Sequence, residues 1–171
     1  MKRLNLGCGT DTKQSWINLD VIALPGVDVV WDLNRVPYPF ENEFFDIIYC
    51  KDILEHVDFI EVLRELHRIT KYGGEIQIQV PHFSSINNYL DPTHKNRFSI
   101  DTFDFFLKEH NRNYYFDFYF STTKSKKITF LYFYRLFSPI INSSSFLQKI
   151  YERFALCNFI PANNIQITII K

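Results

Sequence analysis

The chain is poor in the residues that mark several common classes of protein. Its 171 residues include 3 cysteines, 5 glycines and 1 methionine, and 19 Lys+Arg are balanced by 19 Asp+Glu. Cys8, Cys50 and Cys157 are isolated and odd in number. That argues against a zinc knuckle or a disulfide framework and fits a reducing compartment. Without a basic excess the chain lacks the footprint of a nucleic-acid binder. No apolar run approaches the ~18 residues of a membrane span. The basic pair Lys2-Arg3 has no apolar segment behind it, so no secretory leader is expected and the expected location is the cytoplasm. With no internal repeat and no linker, residues 1–171 are expected to form one domain.

What is present is an ordinary globular balance, 46% hydrophobic and 22% charged, with a high aromatic share of 18%. Arg3–Gly7 reads as a buried strand running into the turn Gly7-Cys8-Gly9. Trp16–Leu19, ending at Asp20, and Val27–Leu33, containing Asp32, read as two more strands. Phe45–Cys50 reads as a fourth. Phe59, Val62, Leu63, Leu66 and Ile69 recur at helical spacing, which predicts a helix opened by an Asp58/Glu61 capping box and stopped by Gly73-Gly74. Glu75–Val80 alternates as a fifth strand. Strand, helix and strand in this order predict a right-handed parallel crossover.

Beyond it, Phe103–Lys108 and Phe146–Phe154 read as helical. Tyr114–Phe120 and Ile128–Tyr134 read as strands about a Thr122–Lys127 turn, and Gln166–Ile170 as a terminal strand. The fold class is therefore α/β: a Rossmann-like, doubly wound and mostly parallel sheet.

The chemistry-bearing residues cluster at predicted strand ends, where open α/β sheets bind ligands. Gly7 and Gly9 let a backbone turn tightly and be approached closely. A carboxylate at Asp20 can accept ribose hydroxyls or stand as a solvated loop acid, and Asp32 can face a base amine or form a turn. His82, Asp91 and His94 share one irregular loop. They could supply a general base or substrate contact, a metal triad with open positions, or only a capped turn. His67 and His110 read as surface residues. The alternating aromatics Phe116, Phe118 and Phe120 read mainly as core, with an acceptor pocket or an intersubunit edge as the other uses.

The stretches Leu4-Asn-Leu-Gly-Cys-Gly9, Trp16-Ile-Asn-Leu-Asp20, Val29-Val-Trp-Asp-Leu33, Phe44–Tyr49, Ile53-Leu-Glu-His-Val57 and Leu63–Gly74 together resemble the class I S-adenosylmethionine-dependent methyltransferases, in their small type 11 branch. The resemblance is strong over the first half. It extends to Pro81-His-Phe-Ser-Ser85 and Asp91-Pro-Thr-His-Lys95, which are similar to a subset of these proteins. The chain departs from the pattern at Asn5, where an acidic residue is usual, and at Asp11, in place of a third glycine. The interval from Gly9 to Asp20 leaves almost no room for a helix.

The resemblance implies a cofactor part of about 1–82, an acceptor side of about 83–171, and a C-terminal strand inserted antiparallel. It implies S-adenosylmethionine as cofactor and S-adenosylhomocysteine as product. Gly7, Cys8 and Gly9 would then pass the methionine part, Asp20 would hold the ribose, and Asp32 with Leu33 the adenine. Cys50, Lys51 and Asp52, with His56 one turn on, would line the methyl side. Direct methyl displacement onto a small-molecule or carbohydrate-like acceptor follows, with His82 or His94, assisted by Asp91, as base. The scheme requires no metal, no nucleic acid and no transmembrane segment, and it leaves open a homodimer through the aromatic C-terminal half. The alternative is a catalytically degenerate fold of the same kind, serving as a binding or scaffold protein.

Overall fold

In the computed structural model, which describes residues 1–154 and 156–171, seven strands form one sheet in the order β3-β2-β1-β4-β5-β7-β6. The strands are β1 (Arg3–Leu6), β2 (Ile17–Asp20), β3 (Val29–Val30), β4 (Phe45–Lys51), β5 (Thr70–Pro81), β6 (Thr122–Ile128) and β7 (Asn164–Ile170). The first five pair in parallel, and β7 lies antiparallel to both β5 and β6. The sheet is thus mostly parallel with an antiparallel C-terminal side. Order reverses at β1, whose neighbours β2 and β4 leave its carboxyl end on opposite sides, and this is where an open sheet gains a crevice.

Helix α1 (Phe59–Ile69) carries the β4–β5 crossover. Val62, Leu63, Leu66 and Ile69 are fully buried, as the helical spacing required. Each contributes about 1.5–3 kcal/mol relative to an exposed side chain. The expected capping box does not form: Asp58 is the N-cap residue but makes no side-chain cap bond, and Glu61 pairs with Arg64 instead. The helix also ends before the glycine pair. Gly73 and Gly74 lie inside β5, where the β4 register jumps from Phe45↔Thr70 to Ile47↔Glu75. They form an irregularity rather than a helix stop, with Gly73 at φ +75° and its N–H donating to the Lys171 carbonyl.

The remaining helices are α2 (Asn87–Leu90), α3 (Ser138–Ile141), α4 (Ser145–Arg153) and α5 (Leu156–Phe159). No helix joins β1 to β2 or β2 to β3, so the doubly wound pattern is trimmed at that edge, and β3 shrinks to two residues.

The C-terminal half departs most from expectation. Residues 122–127 form strand β6, not a turn. Its lysines are matched to acids: Lys124 pairs with Glu75, and Lys126 with Asp101 and Asp104. An edge strand tolerates such charges because one side of it faces water. Tyr114–Phe120 is not a strand; it holds a short 3-10 turn (Asn113–Tyr115) and an extended tail whose Phe118 and Phe120 enter the core. Residues 132–137 are a 3-10 turn with Tyr132 and Phe133 exposed. His67, expected on the surface, sits half-buried against the rings of Phe118 and Phe120. Among the described residues no helix is long and apolar enough to cross a membrane.

Candidate functional site

The crevice begins at the β1 turn. Gly7 has φ +63° and Gly9 has φ +49°, conformations costly for a residue with a Cβ. The two glycines serve different ends. A Cβ on Gly7 would come 2.6 Å from Ile53 Cγ1, whereas one on Gly9 would meet no protein atom within 4 Å. Gly7 is required by packing; Gly9 leaves a face of bare backbone open to a ligand. The Gly9 N–H donates to Asp20 Oδ2 at 2.7 Å, and the Ile22 N–H donates to Oδ1 at 3.0 Å. Each carboxylate oxygen keeps a further lone pair for a hydroxyl. Exposed Val21 and Ile22 extend apolar surface just beyond it.

Two buried asparagines stand in for the missing helix after the turn. Asn5 and Asn18 are register partners across β1 and β2. Asn5 Nδ2 donates to Asn18 Oδ1 at 3.0 Å and to the Asp11 carbonyl at 2.8 Å. Asn18 Oδ1 also accepts the Lys13 N–H, and Asn18 Nδ2 donates to the Lys13 carbonyl. The amide at position 5 is therefore matched to a short loop whose carbonyls need donors.

Two of the expected cofactor side chains point elsewhere. Cys50 is fully buried in the core, where burial pushes its thiol well above the ordinary range. Leu33 is also in the core, and its carbonyl accepts the Tyr38 hydroxyl. Cys8 is buried, its thiol raised first by burial and then by Asp20. Asp32 is exposed and closes a turn on the Asn34 N–H at 2.9 Å. Lys51 is exposed and pairs with Asp11 at 3.3 Å.

Past β4 the chain enters an open cavity of about 600 Å³ bordered by Asp52, Glu55, His56, Asp91, His94 and Asn164, among others. Asp52 takes a left-handed backbone, φ +53°, and accepts both bonds of the Gln79 amide at 3.3 Å. Such strain is common where a side chain must be aimed. The loop carrying Asp91 and His94 is pinned across the top. The Lys95 and Asn96 N–H groups donate to the Glu55 carbonyl, and the Asn96 side chain donates to the carbonyls of Leu54 and Val57. This brings His94 against His56, ring centroids 4.6 Å apart.

Asp91 organises both rings. Its Oδ2 lies 3.8 Å from His94 Nε2, and its Oδ1 accepts the Thr93 hydroxyl at 2.6 Å. That hydroxyl has one proton, and it is committed to Asp91. The 2.8 Å contact from His56 Nδ1 to Thr93 Oγ1 must then be donated by the ring. His56 is left with a bare Nε2, and burial followed by the neighbouring His94 lowers its pKa below the ordinary value. Hydrogen bonds from Thr93 hold the Asp91 carboxyl below its usual range.

The sequence reading assigned Glu55 no role. It is 1% exposed, and among the described residues neither carboxylate oxygen has a hydrogen-bond partner. Burial pushes it up to about 8, and the charges of Asp52 and Asp91 add to the shift. The i, i+3, i+4 spacing of Asp52, Glu55 and His56 was the available signal.

His82 is separated from this group. It is wholly buried, with Nδ1 at 2.8 Å from Ser84 Oγ and Nε2 at 3.0 Å from Glu152 Oε1. Both ring nitrogens are engaged, and it does not border the cavity. The expected trio of His82, Asp91 and His94 is replaced by His56, Asp91 and His94.

Residues 9–78 match the family described as a methyltransferase domain. Across 99% of this chain and 86% of the other, the fold is similar to that of a SAM-dependent methyltransferase from Archaeoglobus fulgidus, at 20% identity and TM-score 0.62. It is equally similar to a putative methyltransferase of Bacillus halodurans, at 14% identity and TM-score 0.63, over 99% of this chain and 92% of that one. A 53-residue segment, 31% of the chain, is 34% identical to an uncharacterised protein of Methanocaldococcus jannaschii. It spans 24% of that protein's length. Residues 9–78 are thus similar to a methyltransferase domain, and the fold of the chain is the one these solved structures share.

Proposed function

We propose that this chain transfers a methyl group from S-adenosylmethionine to a nucleophilic atom of a small or carbohydrate-like acceptor held in the Asp52–His94 cavity. The observation that carries this reading is the open backbone at Gly9, tied to Asp20 and followed at the end of β4 by the polar cavity. The residues fit the cofactor: backbone for the methionine part at Gly7–Gly9, a hydroxyl-accepting carboxylate at Asp20, and apolar surface at Val21 and Ile22 for a base. Bound there, S-adenosylmethionine supplies an already activated methyl group on a positively charged sulfur.

The protein's task is then alignment. Fixing acceptor and methyl in line accounts for up to roughly 7–11 kcal/mol of barrier. Asp52 is aimed by its backbone and by Gln79. Asp32 lies at the base end, and Lys51 flanks the methyl side. An oxygen acceptor must also lose a proton. His94 is our candidate base, because its Nδ1 has no partner and Asp91 faces its other nitrogen. His82 is not retained, since both of its nitrogens are taken.

Calorimetric titration with S-adenosylmethionine and S-adenosylhomocysteine, with NAD as control, tests the reading. Saturable binding of the first two and none of NAD is expected. No binding of either would overturn it in favour of a degenerate scaffold.

A further inference from the structure

Glu55, His56 and His94 each present a donor atom, all within 4.8 Å of one another, at the cavity wall. Two imidazoles and one carboxylate with open positions beyond them form a donor set suited to divalent first-row metals. We infer that these three side chains form a binding site for a divalent transition-metal cation such as Mn²⁺, Co²⁺ or Zn²⁺.

Three independent features carry the inference. Glu55 is 1% exposed, yet among the described residues neither carboxylate oxygen has a hydrogen-bond partner. A buried acid without a partner costs stability, and a cation supplies the missing partner. His94 Nδ1 is buried and, among the described residues, equally without a partner. The third feature is the surrounding shell: Asp91 Oδ2 lies 3.8 Å from His94 Nε2, an ion-pair distance, and Asp91 Oδ1 holds His56 Nδ1 through the Thr93 hydroxyl. Metal-binding histidines characteristically turn their second nitrogen toward a carboxylate in this way. Here one carboxylate faces the second nitrogen of both rings, anchoring His56 through Thr93, while among the described residues His94 Nδ1 has no hydrogen-bond partner. The backbone bonds from Lys95 and Asn96 to Glu55 hold the two halves of the site together.

A loaded site has donors at about 2.0–2.2 Å from the metal, so an ion would draw the three groups inward. It would also take the His94 lone pair otherwise available as a base. Base and ligand are alternative uses of one nitrogen, and the test below needs no methyl donor. It therefore succeeds or fails separately from the proposed transfer reaction.

The experiment is titration of the metal-free full chain with Co²⁺, followed by visible d–d absorption, with calorimetry using Mn²⁺ and Zn²⁺. One equivalent is expected to bind saturably. Glu55→Gln and His94→Ala should each weaken it at least roughly tenfold. Asp91→Asn should weaken it as well, within the roughly 10–100-fold range of outer-shell partners. His110→Ala, outside the cavity, should leave it unchanged. Circular dichroism checks folding, and if Glu55→Gln does not fold, His94→Ala decides. The inference is overturned by the absence of saturable binding of all three ions up to about 1 mM. It is equally overturned by unchanged affinity in the folded variants, or by a thiolate charge-transfer band placing Co²⁺ on a cysteine.

Discussion

Asn5 and Asn18 face each other across β1 and β2, and the amide of one donates to the amide of the other at 3.0 Å. Both are buried, and between them they satisfy the loop backbone at Asp11 and Lys13. Removing either leaves donors and acceptors unpaired away from water. Asn5→Ala and Asn18→Ala are each expected to cost about 1–3 kcal/mol, read by urea unfolding. The double variant should cost less than the sum, because the pair shares one bond. Strict additivity would show that the two act separately.

The two glycines of the turn should separate stability from binding. Gly7→Ala drives a Cβ to 2.6 Å from Ile53, so its melting temperature should fall well below that of Gly9→Ala. Gly9→Ala carries only the backbone term of roughly 1–2 kcal/mol. Its main effect should be on S-adenosylmethionine affinity, since the new methyl occupies the open face. Equal donor affinity in Gly9→Ala and the parent protein would remove that face from the binding site.

Asp20→Ala should weaken donor binding by about 1–3 kcal/mol, the range for leaving polar groups unpaired. Because Asp20 also accepts the Gly9 N–H, some loss of stability should accompany it. Asp20→Asn, which keeps one acceptor oxygen, should retain more of the turn than of the affinity. Calorimetry and thermal unfolding on the same samples distinguish the two losses.

His82→Ala is expected to act on stability and not on the donor site. The substitution strips a partner from Glu152, whose Oε1 also accepts the Ile100 N–H at 2.6 Å. His94→Ala should lower turnover with donor affinity near normal. Reversal of these two phenotypes would restore His82 as the base.

Burial against Phe118 and Phe120, with Lys171 nearby, lowers the His67 pKa to about 4, although Tyr119 and Asp117 oppose the shift. The unfolded chain, with its histidine near 6.5, binds this proton more readily than the folded one. Stability from this residue is therefore full above about pH 6.5 and lost as pH falls toward 4. His67→Gln should flatten that part of the stability curve. An unchanged slope would show that His67 is solvated.

The Gly7–Gly9 turn, the strand-end Asp20 and the 3.6-residue spacing of Val62, Leu63, Leu66 and Ile69 were legible because each is a local rule. A tight turn needs glycine, a helix face needs its period, and a buried parallel strand needs an unbroken apolar run. Residues 114–134 were not legible. Aromatic alternation there reads as a strand, whereas the lysine segment 122–128 became β6 because β7 offered it an edge and Glu75, Asp101 and Asp104 offered it charges.

The sequence by itself determined the α/β order of elements, the glycine turn after the first strand and the similarity of residues 9–78 to a methyltransferase domain. Tertiary structure decided which histidines share a cavity. His82 and His94 lie 12 positions apart on one loop, yet β5 ends by burying the first beneath Glu152, while backbone bonds to Glu55 carry the second over His56. Proximity of that kind comes from chain crossings between distant segments, and no local period encodes it.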